Sequence, residues 1–111
     1  MSEDDEEQLL RRLRRDYLEE GGEGLAELRA DLARLRNGAA DAAAALKSRL
    51  HRLAGSGGSY GFARVSAIAR EAELWLAAGP PESEIVARIQ DAVGRLEAEF
   101  ERARTGVNGK Q

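Results

Sequence analysis

Apolar residues recur along this chain at spacings of three and four, in segments separated by glycine, proline or asparagine. This spacing places the apolar side chains on one face of an α-helix, and no segment alternates with the period of two that is typical of a β-strand. The sequence therefore predicts an all-α protein, which agrees with its many alanine, leucine, arginine and glutamate residues.

The breaks in this pattern divide the chain into five helical segments. The predicted helices cover about residues 5–20, 23–37, 41–58, 62–78 and 81–104. The glycine-rich residues 21–24 end the first helix, Asn37-Gly38 end the second, and Pro80-Pro81 open the fifth. Short connections between long amphipathic helices favour antiparallel neighbours, so the last four segments predict an up-down antiparallel four-helix bundle. Residues 1–104 then form one domain, and the patternless residues 105–111 form a flexible tail.

The N-terminal segment is predicted as an additional helix that packs across one end of the bundle. Its apolar stripe consists of Leu9, Leu10, Leu13 and Tyr17. Four arginines lie at positions 11, 12, 14 and 15 of the same segment, but acidic residues flank them and no aromatic platform accompanies them. We interpret them as a solvated face and expect no nucleic acid as partner.

Composition excludes several kinds of site. The chain has no cysteine and one histidine, which excludes disulfides, thiol catalysis, cysteine-ligated metals and histidine-rich zinc centres. No apolar run approaches the ~20 residues that span a bilayer, and the first residues are acidic rather than signal-like. We therefore expect a cytoplasmic protein with no membrane partner, and we expect it to be a monomer.

The single histidine, His51, lies away from the apolar stripe of its helix. With Leu46 at zero on a helical wheel, Leu50 and Leu53 fall within roughly 40°, whereas His51 lies roughly 140° away. His51 is therefore expected to face solvent, and an ordinary surface histidine is the simplest alternative.

Three of the four neighbours of His51 on its own helix are small residues. The neighbours one and two turns away are Lys47, Ala54, Gly55 and Gly58. Each glycine within a helix lowers helix stability by ~1 kcal/mol relative to alanine, so the glycines near His51 are expected to serve another purpose. Clearance for a large partner is one benefit, and close helix packing or a helix end are the alternatives. An exposed imidazole in such a clearing suits phosphoryl transfer, because its neutral nitrogen is a good nucleophile near pH 7 and needs in-line approach.

The second imidazole nitrogen needs an acceptor that fixes the tautomer and orientation of the ring. Glu73 lies at the edge of the apolar stripe of the following helix, where a carboxylate can face the helix of His51. A solvated charge at Glu73 is the alternative.

The segment from His51 to Phe62, HRLAGSGGSYGF, resembles the signature of the histidine-containing phosphotransfer domain family. That signature has a histidine, a hydrophobic residue two positions later, Lys-Gly, small residues and a glycine before the next helix. The fit is carried by His51, Leu53, Gly55, Ser56 and Gly61. The resemblance implies a four-helix bundle with His51 as phosphoacceptor and places Glu73 at the family's position for an acidic or amide residue near the imidazole.

The sequence departs from this pattern at Ala54, where the family often has a lysine beside the phosphoryl group. Positive charge can instead come from Lys47, one turn before His51, or from Arg64 or Arg70 on the next helix.

The resemblance implies a phosphocarrier of a multistep two-component phosphorelay rather than an enzyme. His51 would accept the group from the aspartate of one response-regulator receiver domain, alone or within a hybrid histidine kinase, and pass it to another. The carrier would need no cofactor, because the receiver brings the Mg²⁺, and no nucleotide-binding motif predicts kinase activity with ATP. One alternative is an unphosphorylated helical module that binds and inhibits a receiver or kinase. Another is the phosphoacceptor part of a kinase, which would need an ATP-binding domain.

Overall fold

The computed structural model of the chain describes residues 2–79 and 82–109, with side chains to residue 106. Within these ranges the protein contains four helices and no strand. They are α1 (Glu3–Arg36), α2 (Ala42–Ser59), α3 (Ala63–Ala77) and α4 (Ser83–Gly109). Each helix packs against its neighbours in chain order, and α1 also packs against α4, which gives a helical bundle.

The separate N-terminal helix predicted for residues 5–20 is wrong, because α1 runs without a break from Glu3 to Arg36. Residues 21–24 lie within it, although glycine is unfavourable in a helix. Gly21 has a packing reason, since a Cβ at this position would lie inside the volume of the Phe100 ring. Phe100 is fully buried, so Gly21 lets α1 approach α4 closely around it.

The other helix boundaries agree with the sequence to within one or two residues, except at the end of α4. The sequence predicted an end near residue 104, but α4 continues to Gly109. The patternless tail is thus helical over 105–109, while residues 110–111 lie outside the described ranges, as does the predicted opening at Pro80-Pro81. Asn37-Gly38 does end α1, with a φ of +82° at Gly38. Asp41 precedes α2 but does not cap it through its side chain, because its carboxylate pairs with Arg34.

The core is aliphatic apart from Phe100. It combines the leucine stripe of α1 with the predicted stripes of the other helices, and its fully buried larger side chains include Leu28, Leu46, Leu50, Val65 and Leu96. A buried carboxylate, Asp31 of α1, accepts from Nε of Arg49 on α2 at 2.7 Å, which joins the two helices. It also accepts from Arg34 of its own helix at 3.2 Å. The hydrogen bond to Asp31 is the main cause that raises the pKa of Arg49.

Aromatic rings close the end of the bundle where α2 meets α3. Tyr17 of α1 stacks on Tyr60 with ring centroids 4.7 Å apart and on Phe62 at 5.6 Å. Arg14 donates from Nε to the Tyr60 carbonyl at 2.9 Å. Gly61 lies in the connection between α2 and α3 and has a φ of +83°, a conformation that favours glycine. These contacts hold the glycine-rich end of α2 in place.

Candidate functional site

His51 stands on the outer face of α2. Its side chain is 78% exposed, whereas the preceding residue, Leu50, is fully buried. The exposure agrees with the angular position on the helical wheel, and it leaves the ring accessible to a large partner.

Glu73 of α3 holds one nitrogen of this ring. Nδ1 of His51 lies 2.9 Å from Oε2 of Glu73. An ionised carboxylate only accepts hydrogen bonds, so the Nδ1–H donates and the neutral ring carries its lone pair on Nε2. The Glu73 side chain is only 22% exposed, which restricts its movement and hence that of the imidazole. The contact orients the ring through Nδ1, and Nε2 takes no part in it.

The glycines of α2 have different surroundings. A Cβ at Gly55 would meet nothing within 4 Å, and a Cβ at Gly58 would make only an ordinary contact of 3.6 Å with Ser66 Oγ. A Cβ at Gly57 would lie 3.0 Å from Val65 Cγ1, so this glycine allows α2 and α3 to pack closely. Open space of the kind expected from the sequence is therefore found at Gly55, whereas Gly57 has a packing role.

Basic residues approach the site from two helices. Lys47 of α2 and Arg70 of α3 line the same surface groove as His51 and Glu73. Arg64, proposed from the sequence as a third source of charge, points elsewhere, since its Nε lies 3.5 Å from Oε2 of Glu99 on α4. The structure does not bring Arg64 to the histidine.

Ala54 also lines the groove, but it is a core residue, only 4% exposed. Its carbonyl accepts a hydrogen bond from Ser66 Oγ at 2.8 Å, which ties α2 to α3 just beyond His51. Ala54 therefore contributes to the floor of the groove rather than to its charge.

Sequence reasoning missed Leu74, which lies beside Glu73 in the groove and is 72% exposed. The signal was present, because Leu74 is a large apolar residue that lies off the core stripe of α3. Leu74 therefore adds an exposed apolar side chain to the edge of the groove.

The protein-family model of the Hpt domain matches residues 12–105, which is most of the chain. The chain belongs to the Hpt domain family. Hpt domains act in phosphorelays, where they carry phosphoryl groups on histidine and interact with receiver domains and histidine kinases. No curated protein and no solved structure matches the chain significantly.

The described part of this Hpt domain contains no group of three or more acidic or histidine residues arranged to hold a metal ion. Over the same residues, no helix combines the length and apolar character needed to cross a membrane.

Proposed function

We propose that His51 is the phosphoacceptor of a cytoplasmic phosphorelay carrier, taking a phosphoryl group from a receiver aspartate and passing it to a second receiver. The observation that carries this proposal is the exposed imidazole whose Nδ1 is held by Glu73. His51 is the sole histidine of the chain, so a histidine-based transfer has no other candidate.

In the proposed step, the Nε2 lone pair attacks the phosphorus of the aspartyl phosphate. The N–P bond forms as the bond from phosphorus to the aspartate oxygen breaks, and the aspartate leaves as a carboxylate. The ring keeps its Nδ1 proton and becomes cationic during attack. Oε2 of Glu73 lies 2.9 Å from the Nδ1 that carries this proton, so the carboxylate stabilises the positive charge as it develops. Transfer to the second receiver is the same step in reverse.

The charge that attends the phosphoryl group is assigned to Lys47 and Arg70. Both line the groove of His51, from the two helices that form its walls. They take the place of the lysine that the family often has at the position of Ala54. A phosphoryl group on Nε2 is strongly anionic, and a flexible cation on each side can follow it as it arrives and leaves.

The receiver docks, in this proposal, over the open part of α2 and the exposed edge of α3. Gly55 leaves space beside His51, and Leu74 offers an apolar contact. The receiver supplies the Mg²⁺ and the aspartate, so the carrier itself needs neither a cofactor nor ATP.

An up-down antiparallel arrangement of the four helices accompanies this proposal. It is supported by the order of contacts, which run in opposite directions along successive helices. On α1 and α2, Tyr17 contacts Ser56 whereas Arg34 contacts Asp41. This topology brings Glu73 of α3 level with His51 of α2.

The proposal is tested by incubating the protein with pre-phosphorylated receiver domains and measuring acid-labile phosphate on the carrier. Wild type should be labelled, His51→Gln should not, and ATP alone should label neither. His51→Gln should keep the helicity and melting temperature of wild type, because the side chain is exposed. Binding of receivers without any labelling would favour the alternative of an inhibitory interaction module. Labelling by ATP alone would contradict the carrier assignment.

A further inference from the structure

The N-terminal part of α1 extends beyond the end of α2. Arg14 contacts the carbonyl of Tyr60, the residue that follows α2, so residues 3–13 continue past this helix. At 1.5 Å per residue this overhang is about 16 Å long. It carries Leu9, Leu10 and Leu13, which are 41–42% exposed. The sequence led us to place these leucines against the bundle, but they belong neither to its core nor to the partly buried apolar residues that pack on the core.

The three leucines form one patch on the overhang. Leu9 and Leu13 are one turn apart, and Leu10 lies beside both, so their side chains share a face of the helix. Three adjacent exposed leucines on a charged helix are typical of a surface that another protein covers. The groove of His51 contains no residue of α1, so the two surfaces are separate.

Charge in the N-terminal part of α1 is divided into two blocks about these leucines, the second of which runs from the overhang into the bundle. Residues 3–7 are all acidic, and arginines occupy positions 11, 12, 14 and 15. Arg14 is held by the bundle. Among the side chains that the structure describes, the acidic residues 3–7 and Arg11, Arg12 and Arg15 form no ion pair with one another or with the bundle. Acidic residues in a first turn suit the helix dipole, but the dipole explains neither the arginines nor the leucines.

This distribution is self-complementary. If two overhangs lie side by side in opposite directions about a point between Leu9 and Leu10, the acidic block of each meets the arginine block of the other. In this register Asp5 of one copy faces Arg12 of its partner, because both residues lie on the same side of the leucine face. Parallel pairing would instead place like charges together. A two-fold axis makes every contact occur twice, which is the usual geometry of a protein homodimer.

We propose that the α1 overhang is a homodimerisation surface, in which two copies pair antiparallel through Leu9, Leu10 and Leu13 with their acidic and arginine blocks in register. Both His51 sites stay open in such a pair, because each lies on the α2–α3 groove. This dimer replaces the monomer expected from the sequence, and, on the function proposed above for His51, it presents two phosphoacceptors to receivers at once.

Sedimentation equilibrium of the full chain over a wide range of concentrations tests this proposal. The average mass should rise from the monomer value of 12.0 kDa towards twice that value, and added salt should weaken the association. Leu10→Gln combined with Leu13→Gln should weaken it by roughly tenfold or more, since each loss counts twice in a symmetric pair. Glutamine retains helix propensity, so the helicity should be unchanged. Leu74→Gln, a matched change of an exposed leucine elsewhere, should leave the association as in wild type.

The orientation is tested by cross-linking, because the chain has no cysteine of its own. Mixing Asp5→Cys with Arg12→Cys should give a disulfide-linked dimer faster than either variant alone. A mass of 12.0 kDa at every concentration would overturn the proposal. The proposal would also be overturned if the leucine variants associated like wild type. If they kept the average mass of wild type but bound receivers more weakly, the leucine patch would be a receiver-binding surface instead. Faster cross-linking of Asp5→Cys with itself would overturn the antiparallel register.

Discussion

Alanine substitutions at Gly55 and Gly57, two residues apart in α2, should change stability in opposite directions. Alanine at Gly55 meets nothing within 4 Å, so the gain in helix propensity should raise the free energy of unfolding by up to ~1 kcal/mol. At Gly57 the same gain is opposed by contacts of 3.0 Å to Val65 Cγ1 and 3.3 Å to the Ser66 backbone nitrogen. Overpacking of this kind costs ~1–3 kcal/mol, so Gly57→Ala should be about 1 kcal/mol less stable than wild type.

At Gly55, a larger side chain should slow phosphoryl transfer even though it stabilises the helix. Gly55→Gln also gains helix propensity, but its side chain enters the space through which a receiver approaches His51. Phosphoryl transfer should fall by roughly tenfold or more, the scale of a small displacement of the reacting pair.

The change in stability is measured as a shift in the urea denaturation midpoint at a constant m-value. The change in transfer is measured by labelling with a phosphorylated receiver. Gly55→Ala serves as the control, because its methyl group is stabilising but too small to reach far into the open space. Full transfer by Gly55→Gln would refute the clearance explanation. Equal stabilisation by Gly55→Ala and Gly57→Ala would refute the distinction between open and packed glycines.

Three further predictions concern the side chains that support the site and the bundle. Glu73→Ala should slow transfer by roughly tenfold or more because His51 loses the acceptor that orients it, and Glu73→Gln, which keeps an acceptor oxygen, should restore much of the rate with unchanged stability. Gly21→Ala should lower the free energy of unfolding by about 1–2 kcal/mol because the methyl group meets a buried aromatic ring, whereas Gly24→Ala, with open space around it, should raise it by up to ~1 kcal/mol. Burial raises the pKa of Tyr17 above 10.0, so its contribution to stability is present below pH 10 and is lost as the pH rises through the folded-state pKa. A urea midpoint measured against pH should fall less steeply above pH 10 in Tyr17→Phe than in wild type.

The helices could be predicted from the sequence wherever large apolar residues carry the pattern. The break at residues 21–24 was wrong because glycine was interpreted only as a helix breaker. Leu18, Gly21, Leu25 and Leu28 follow the spacing of three and four without interruption, and Gly21 takes the place of a leucine because Phe100 fills its space. A continuous stripe that includes small residues therefore predicts one helix here.

The parts of the site that depend on the angular position of a side chain around its helix could be predicted from the sequence. His51 and Glu73 were both located by the helical wheel, and the structure has them in contact. Arg64 is nine residues before Glu73 and hence roughly 180° away on the wheel, so it faces away from His51, whereas Arg70 is roughly 60° from Glu73. The space around Gly55 and the exposure of Leu74 depend on how α3 packs against α2, which periodicity alone does not specify.

The central claim is that Glu73 holds Nδ1 of His51 and leaves Nε2 as the nucleophile. The most direct test is nuclear magnetic resonance of the labelled protein, which distinguishes the two isomers of phosphohistidine. The protein is phosphorylated by a receiver domain, and the coupling of phosphorus to the ring nitrogens is recorded. The structure predicts a single species with phosphorus on Nε2 of His51. Phosphorus on Nδ1, or on any residue other than His51, would contradict this account.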